Sequence, residues 1–159
     1  MVVLLCAFIC ARAQGSIVLS DVTQETSITF KHTDGGSGER YLVETVSAGL
    51  ALLDYDNDGD MDIIVANDVA ENFLWQNDGT GKFVEVGLMT GLAYDFHGEG
   101  QGSMGVDCGD YDNDGWLDLY VTSYQRQLAT LYRNLGDGQF EDVSLASVAG
   151  AATYGIGNK

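Results

Sequence analysis

Short apolar runs, broken by glycine- and aspartate-rich turns, recur along this chain. None sustains the helical period of 3.6 residues. The runs are rich in residues that suit a pleated surface, among them Ile63, Ile64 and Val65, and later Leu119, Tyr120 and Val121. In the clearest stretch the pattern predicts four strands, over 49–53, 62–66, 73–76 and 82–86. Asn77-Asp78-Gly79 supplies the turn between the third and fourth, and Gly136-Asp137-Gly138 repeats it further on.

The whole unit repeats. DYDNDGDMDIIVAN from Asp54 returns as DYDNDGWLDLYVTS from Asp110, a shift of 56 residues. NFLWQNDGTGKFVEV from Asn72 matches TLYRNLGDGQFEDV from Thr130, and Phe83 aligns with Phe140 at a shift of 57. Near the start, VLSDVTQETSI from Val18 resembles FEDVSLASVAG from Phe140. Self-similarity at this period marks an array in which each unit packs on its neighbour. Four short antiparallel strands per unit describe a propeller blade. The expected architecture is all-β: a propeller segment of two blades, about 47–86 and 103–143, with a partial blade strand in 17–30. Phe73, Trp75, Phe83, Tyr132 and Phe140 recur at equivalent places and are expected to pack between blades. The glycine-rich stretch from Gly87 to Gly105 is expected to connect them.

Between the first and second strands of each unit lies the pattern D-x-D-x-D-G-x-x-D. Calcium takes six to eight oxygen ligands, and alternate carboxylates on a tightly wound loop can converge on one centre. Asp54, Asp56, Asp58 and Asp62 form one such set, and Asp110, Asp112, Asp114 and Asp118 the other. Gly59 and Gly115 allow the bend after the third ligand. Asp60 and Trp116 follow them, and the exchange of one for the other points to a main-chain carbonyl as ligand. A solvated acidic turn would not be copied with its spacing intact. An EF-hand would need a glutamate at the twelfth loop position and helices on either side. That position is Val65 or Val121, inside an apolar β-type run. Magnesium is the weaker choice because it resists losing its waters. Two calcium ions are therefore expected.

Charge and composition narrow the partners. With 24 acidic and 7 basic residues among 159, the formal charge is −17, which repels nucleic acid and anionic membranes. MVVLLCAFICARAQ reads as a secretory leader, 1–13, cut after Ala11-Arg12-Ala13, although no basic residue precedes the apolar run. That run is too short to span a bilayer, so no span is expected in the mature chain. Cys6 and Cys10 would leave with the leader, and Cys108 would remain as a small buried residue.

These motifs resemble the FG-GAP/VCBS repeats of integrin-α-like β-propellers. SDVTQETSITFKHTDGGSGERYLVETVSAGLALLDYDNDGD further resembles the opening blade of the cartilage acidic protein, or ASPIC/UnbV, family. Val43 stands where that family would carry a proline. The resemblance covers about residues 18–149. It implies structural calcium, an extracellular setting (secreted, periplasmic or cell-surface) and work as an interaction module. It also implies rings of about seven blades, so this chain reads as the N-terminal portion of a longer propeller or a truncated product.

Catalytic chemistry is sparse. His32 and His97 lie in glycine-rich segments, and Ser47, Ser103 and Ser123 lack a nucleophile-elbow setting. The best-organised carboxylates are better explained as metal ligands than as a glycosidase pair. The expected function is non-enzymatic binding of an extracellular protein or glycan. The alternatives are a fragment of an enzyme whose catalytic residues lie outside the chain, and a remnant that folds poorly alone.

Overall fold

The alternation of apolar and polar positions resolves into two four-stranded antiparallel sheets. The computed structural model describes residues 18–30, 48–123 and 127–147. The first sheet contains β1 (Gly49–Leu53), β2 (Asp62–Ala66), β4 (Phe73–Asn77) and β5 (Phe83–Glu85). Between β2 and β4 lies the short β3 (Asp68–Ala70). A single helical turn, α1 (Gly87–Thr90), and β6 (Gln101–Gly102) follow. The second sheet contains β7 (Gly105–Gly109), β8 (Asp118–Thr122), β9 (Thr130–Asn134) and β10 (Phe140–Asp142). The spatial orders are β1-β2-β4-β5 and β7-β8-β9-β10, so each sheet is a simple meander of the blade type.

Register fixes which side chains share a face. In the first blade Leu50 lies opposite Val65 and Leu52 opposite Ile63, and Ile63 and Val65 then face Trp75 and Phe73. The opposite face carries Leu53, Ile64 and Leu74, all almost fully buried. In the second blade Val106 pairs with Val121, Cys108 with Leu119, and Leu119 with Tyr132. Leu53, Tyr55, Ile64 and Leu74 join Leu119, Val121, Tyr132 and Phe140 in one core between the blades. Tyr55 stacks on Phe140 with ring centroids 6.1 Å apart. The innermost strands approach closely: a Cβ on Gly49 would lie 3.0 Å from the Gly105 Cα.

Three details differ from the sequence expectation. Residues 18–30 hold a turn at 23–25 but no strand, so the expected partial blade strand is absent from the described residues. What joins this segment to the first blade is a bond from Phe83 N–H to the Thr26 carbonyl at 2.8 Å and the edge contact of Phe30 with Phe73. The connection 87–105 is not plain loop, because β3 and β6 pair across it with a register shift between Asp68 and Ala70. Of the recurrent aromatics, Tyr132 and Phe140 pack between blades, whereas Phe73 and Trp75 sit on the face turned away from the second blade. Cys108 is half-buried and free. The expected leader and His32 lie outside the described residues. Among those residues no helix is long and apolar enough to cross a membrane.

Candidate metal centre

Each acidic loop leaves the end of an inner strand and re-enters the sheet one strand outward. The first joins β1 to β2 and the second joins β7 to β8. Their backbones coincide: Asn57 and Asn113 adopt φ of 57° and 62°, and Gly59 and Gly115 adopt 95° and 93°. Glycine takes that conformation without steric cost, and asparagine tolerates it better than most residues. The glycine bends follow the sequence expectation. The left-handed asparagines were not foreseen, although the repeated Asn at one position was the available signal.

The carboxylates first organise the loop itself. Asp54 accepts hydrogen bonds from the amides of Asp58 and Gly59, both at 3.1 Å. Asp110 accepts from Asp114 and Gly115 at 3.1 and 3.0 Å. Asp58 accepts from the Asp60 amide at 2.9 Å, and Asp114 from Trp116 at 3.0 Å. The ninth-position aspartates are buried at 0% and 1% exposure and reach further. Asp62 accepts from Tyr55 N–H at 3.1 Å and from Asn77 N–H at 2.8 Å. Asp118 accepts from Tyr111 N–H at 3.0 Å and Asn134 N–H at 2.8 Å. These two side chains tie the loop to the end of the third strand.

Ligand atoms of Asp54, Asp56 and Asp58 lie within 4.8 Å of one another, and so do those of Asp110, Asp112 and Asp118. Asp62 and Asp114 fall outside these two tight groups. The side chains of Asp60 and Trp116 lean away over the turn of the second hairpin. A Cβ on Gly79 would meet Asp60 Oδ2 at 2.7 Å, and one on Gly136 would meet Trp116 Nε1 at 2.7 Å. The donors are all hard carboxylate oxygens, which suits calcium rather than zinc or copper.

Crowding and burial shape the electrostatics. Burial pushes the Asp62 carboxyl above its usual range, the Asn77 and Tyr55 amides oppose this, and the charges of Asp56 and Asp58 add to it. Asp118 rises for the same reasons, with Asp112 and Asp114 as the like charges. Burial, then Asp56, Asp62 and Asp58, push the Tyr55 hydroxyl up to about 12. A bound cation would relieve that crowding.

The loops differ in one neighbour. In the first, Gln76 Nε2 donates to Asp56 Oδ2 at 2.7 Å. In the second, Arg133 Nε lies 2.8 Å from Asp112 Oδ2 and its Nη2 lies 3.5 Å from Asp114 Oδ2. Asp112 raises the basicity of that guanidinium further. The sequence reading missed this pair, although Gln76 and Arg133 occupy equivalent positions of the repeat. His97 is exposed, with Nδ1 3.7 Å from Asp95 Oδ2, and it lies apart from both acidic groups.

Comparison with known proteins places these loops. The FG-GAP-like repeat model matches residues 54–121 and again 110–157, and each match begins at the first aspartate of a loop. Cartilage acidic protein 1 from Xenopus tropicalis is 29% identical over 134 residues, 83% of this chain. The chain spans 18% of that protein's length.

Proposed function

The chain belongs to the FG-GAP-like repeat family, and on that premise we propose that it is a secreted, calcium-stabilised propeller segment that binds an extracellular protein or glycan without catalysis. The observation that carries the reading is that one loop conformation recurs at the same place in two blades and gathers three carboxylates in each, Asp54, Asp56 and Asp58 in one and Asp110, Asp112 and Asp118 in the other. Asp54, Asp56 and Asp58 would hold one ion, and Asp110, Asp112 and Asp118 the other. Asp62 and Asp114, with the carbonyls of Asp60 and Trp116, are the remaining candidate donors. Bound calcium would neutralise crowded carboxylates and fix the hairpin. Its role is structural, because each loop closes a hairpin whose other groups are already committed to backbone amides.

A calcium titration followed by thermal melting tests this. An ion that binds the folded state alone stabilises it by about 2.7 kcal/mol per site at a hundredfold excess over Kd. The melting temperature should therefore rise in millimolar calcium, and no rise would sink the proposal. Secretion rests on the leader pattern and the similarity to cartilage acidic protein 1. N-terminal sequencing of protein recovered from culture medium should begin at Gln14. The non-catalytic part of the proposal rests on the committed carboxylates and on the isolation of exposed His97 from both acidic groups.

A further inference from the structure

The connection between the blades borders a cavity that neither the acidic loops nor the core accounts for. It measures about 210 Å³ and is lined by Asp95, Phe96, His97, Glu99, Gln101 and Gln127. Local bonding sets its rim. The Asp95 carboxylate accepts from the His97 and Glu99 amides, both at 2.9 Å, and the Asp95 amide donates to the Glu99 carbonyl at 3.1 Å. Two further bonds fasten this loop to the second blade. Phe96 N–H donates to Asp142 Oδ2 at 3.1 Å, and the Tyr132 hydroxyl donates to the Tyr94 carbonyl at 3.2 Å. A rim held this way loses little freedom when it takes up a ligand.

The glutamines supply donors. Gln101, 7% exposed, accepts at Oε1 from the Thr130 hydroxyl at 2.6 Å, and Gln127 Oε1 accepts from the Gly102 amide at 3.0 Å. With the carbonyl ends fixed, the amino end is the group each amide can offer a ligand. The rim supplies acceptors and a ring. Glu99 is exposed, and Asp95 Oδ2 lies 3.7 Å from His97 Nδ1. Phe96, also exposed, lies against His97 with ring centroids 3.8 Å apart. This mixture decides the ligand class. A metal ion or a basic side chain needs acceptors, and two amide NH2 groups work against it. An anion is repelled by Asp95 and Glu99 in a chain of formal charge −17. A neutral ring edged with hydroxyls uses everything present, because each hydroxyl both donates and accepts and the ring face packs on an aromatic. The cavity is smaller than the roughly 300–1,000 Å³ that encloses a drug-sized ligand, so it takes one ring.

We propose that this cavity binds a single pyranose ring of a neutral glycan, with the apolar ring face on Phe96 and the hydroxyls bonded to Gln101, Gln127 and Glu99. The inference rests on the binding role proposed above, chooses glycan over protein, and gives the contact a site.

Saturation-transfer NMR of the 159-residue chain in calcium tests this. The probes are the methyl glycosides of glucose, galactose, mannose and N-acetylglucosamine. At least one should receive saturation, with an affinity on the order of 1 mM because a single ring offers few atoms to hold. The methyl glycoside of glucuronic acid should receive none. Phe96→Ala, at an exposed position, should weaken binding about tenfold, and Phe96→Trp should keep it. Circular dichroism and an unchanged melt would show that both variants fold. Saturation of none of the four neutral sugars would overturn the proposal, as would undiminished binding by Phe96→Ala or equal binding of the glucuronide. Binding of N-acetylarginine amide in place of the sugars would assign the cavity to a basic side chain of a protein partner and overturn it too. Sugar binding with a melt indifferent to calcium would instead count against the metal reading alone, so the two failures are separately visible.

Discussion

The side chain of Asn134, fully buried, donates to the Tyr55 and Leu117 carbonyls and accepts from the Gly136 amide at 3.0 Å. Removing it leaves the buried Tyr55 carbonyl and the half-buried Leu117 carbonyl and Gly136 amide without these partners. Asn134→Ala is expected to cost about 2–4 kcal/mol, since each stranded buried group costs about 1–3 kcal/mol. Asn77→Ala at the half-buried equivalent should cost about 1 kcal/mol, and urea unfolding of the two variants would compare them. The sequence marked Asn77 as part of a turn, Asn77-Asp78-Gly79, but gave Asn134 no role. It could not show that one of them bonds 79 positions away, because nothing local encodes that distance. The ion pair of Arg133 with Asp112 carries a second prediction. A guanidinium among the carboxylates competes with a metal ion, so the second loop should bind calcium more weakly than the first. The pair is partly exposed and screened by solvent, so Arg133→Gln should tighten the second site no more than about fivefold. Isothermal calorimetry would resolve this, and the gain should shrink at high salt.

At the level of elements, alternation and turn chemistry placed the four strands of the first blade to within a residue. The acidic loops were legible because their spacing repeats and their glycines recur. The β3–β6 ladder was not, because strands of two or three residues lack enough positions to show a period. Residues 18–30 share sequence with a strand-forming stretch yet form no strand among the described residues, so likeness alone did not specify it. The approach of β1 to β7 yields a test. A Cβ on Gly49 would meet the Gly105 Cα at 3.0 Å and the Val106 nitrogen at 3.1 Å, and backbone cannot swing aside as a side chain can. Gly49→Ala should cost about 1–3 kcal/mol through forced separation of the blades, read as a lower urea midpoint at unchanged slope.

For the whole molecule, a formal charge of −17 works against compactness. Without calcium, the melting temperature should climb with added sodium chloride. With calcium bound, the dependence should flatten, because the most crowded carboxylates are already neutralised. Scanning fluorimetry across a salt series in each condition would check both statements. The buried ties of Asp62 and Asp118 have a consequence at this scale as well. A sheet slipped by one residue would carry the aspartate away from both amides and leave a buried charge unpartnered, a penalty of several kcal/mol. Each aspartate therefore acts as an alignment key that proofreads the pairing of its own four strands. The two keys are interchangeable, however, since Tyr55 and Asn77 recur as Tyr111 and Asn134. They guard the register but not the choice of partner blade. That choice falls to positions where the copies differ, such as Gln76 and Arg133, and a nascent chain that exchanged its hairpins would meet its first objection there.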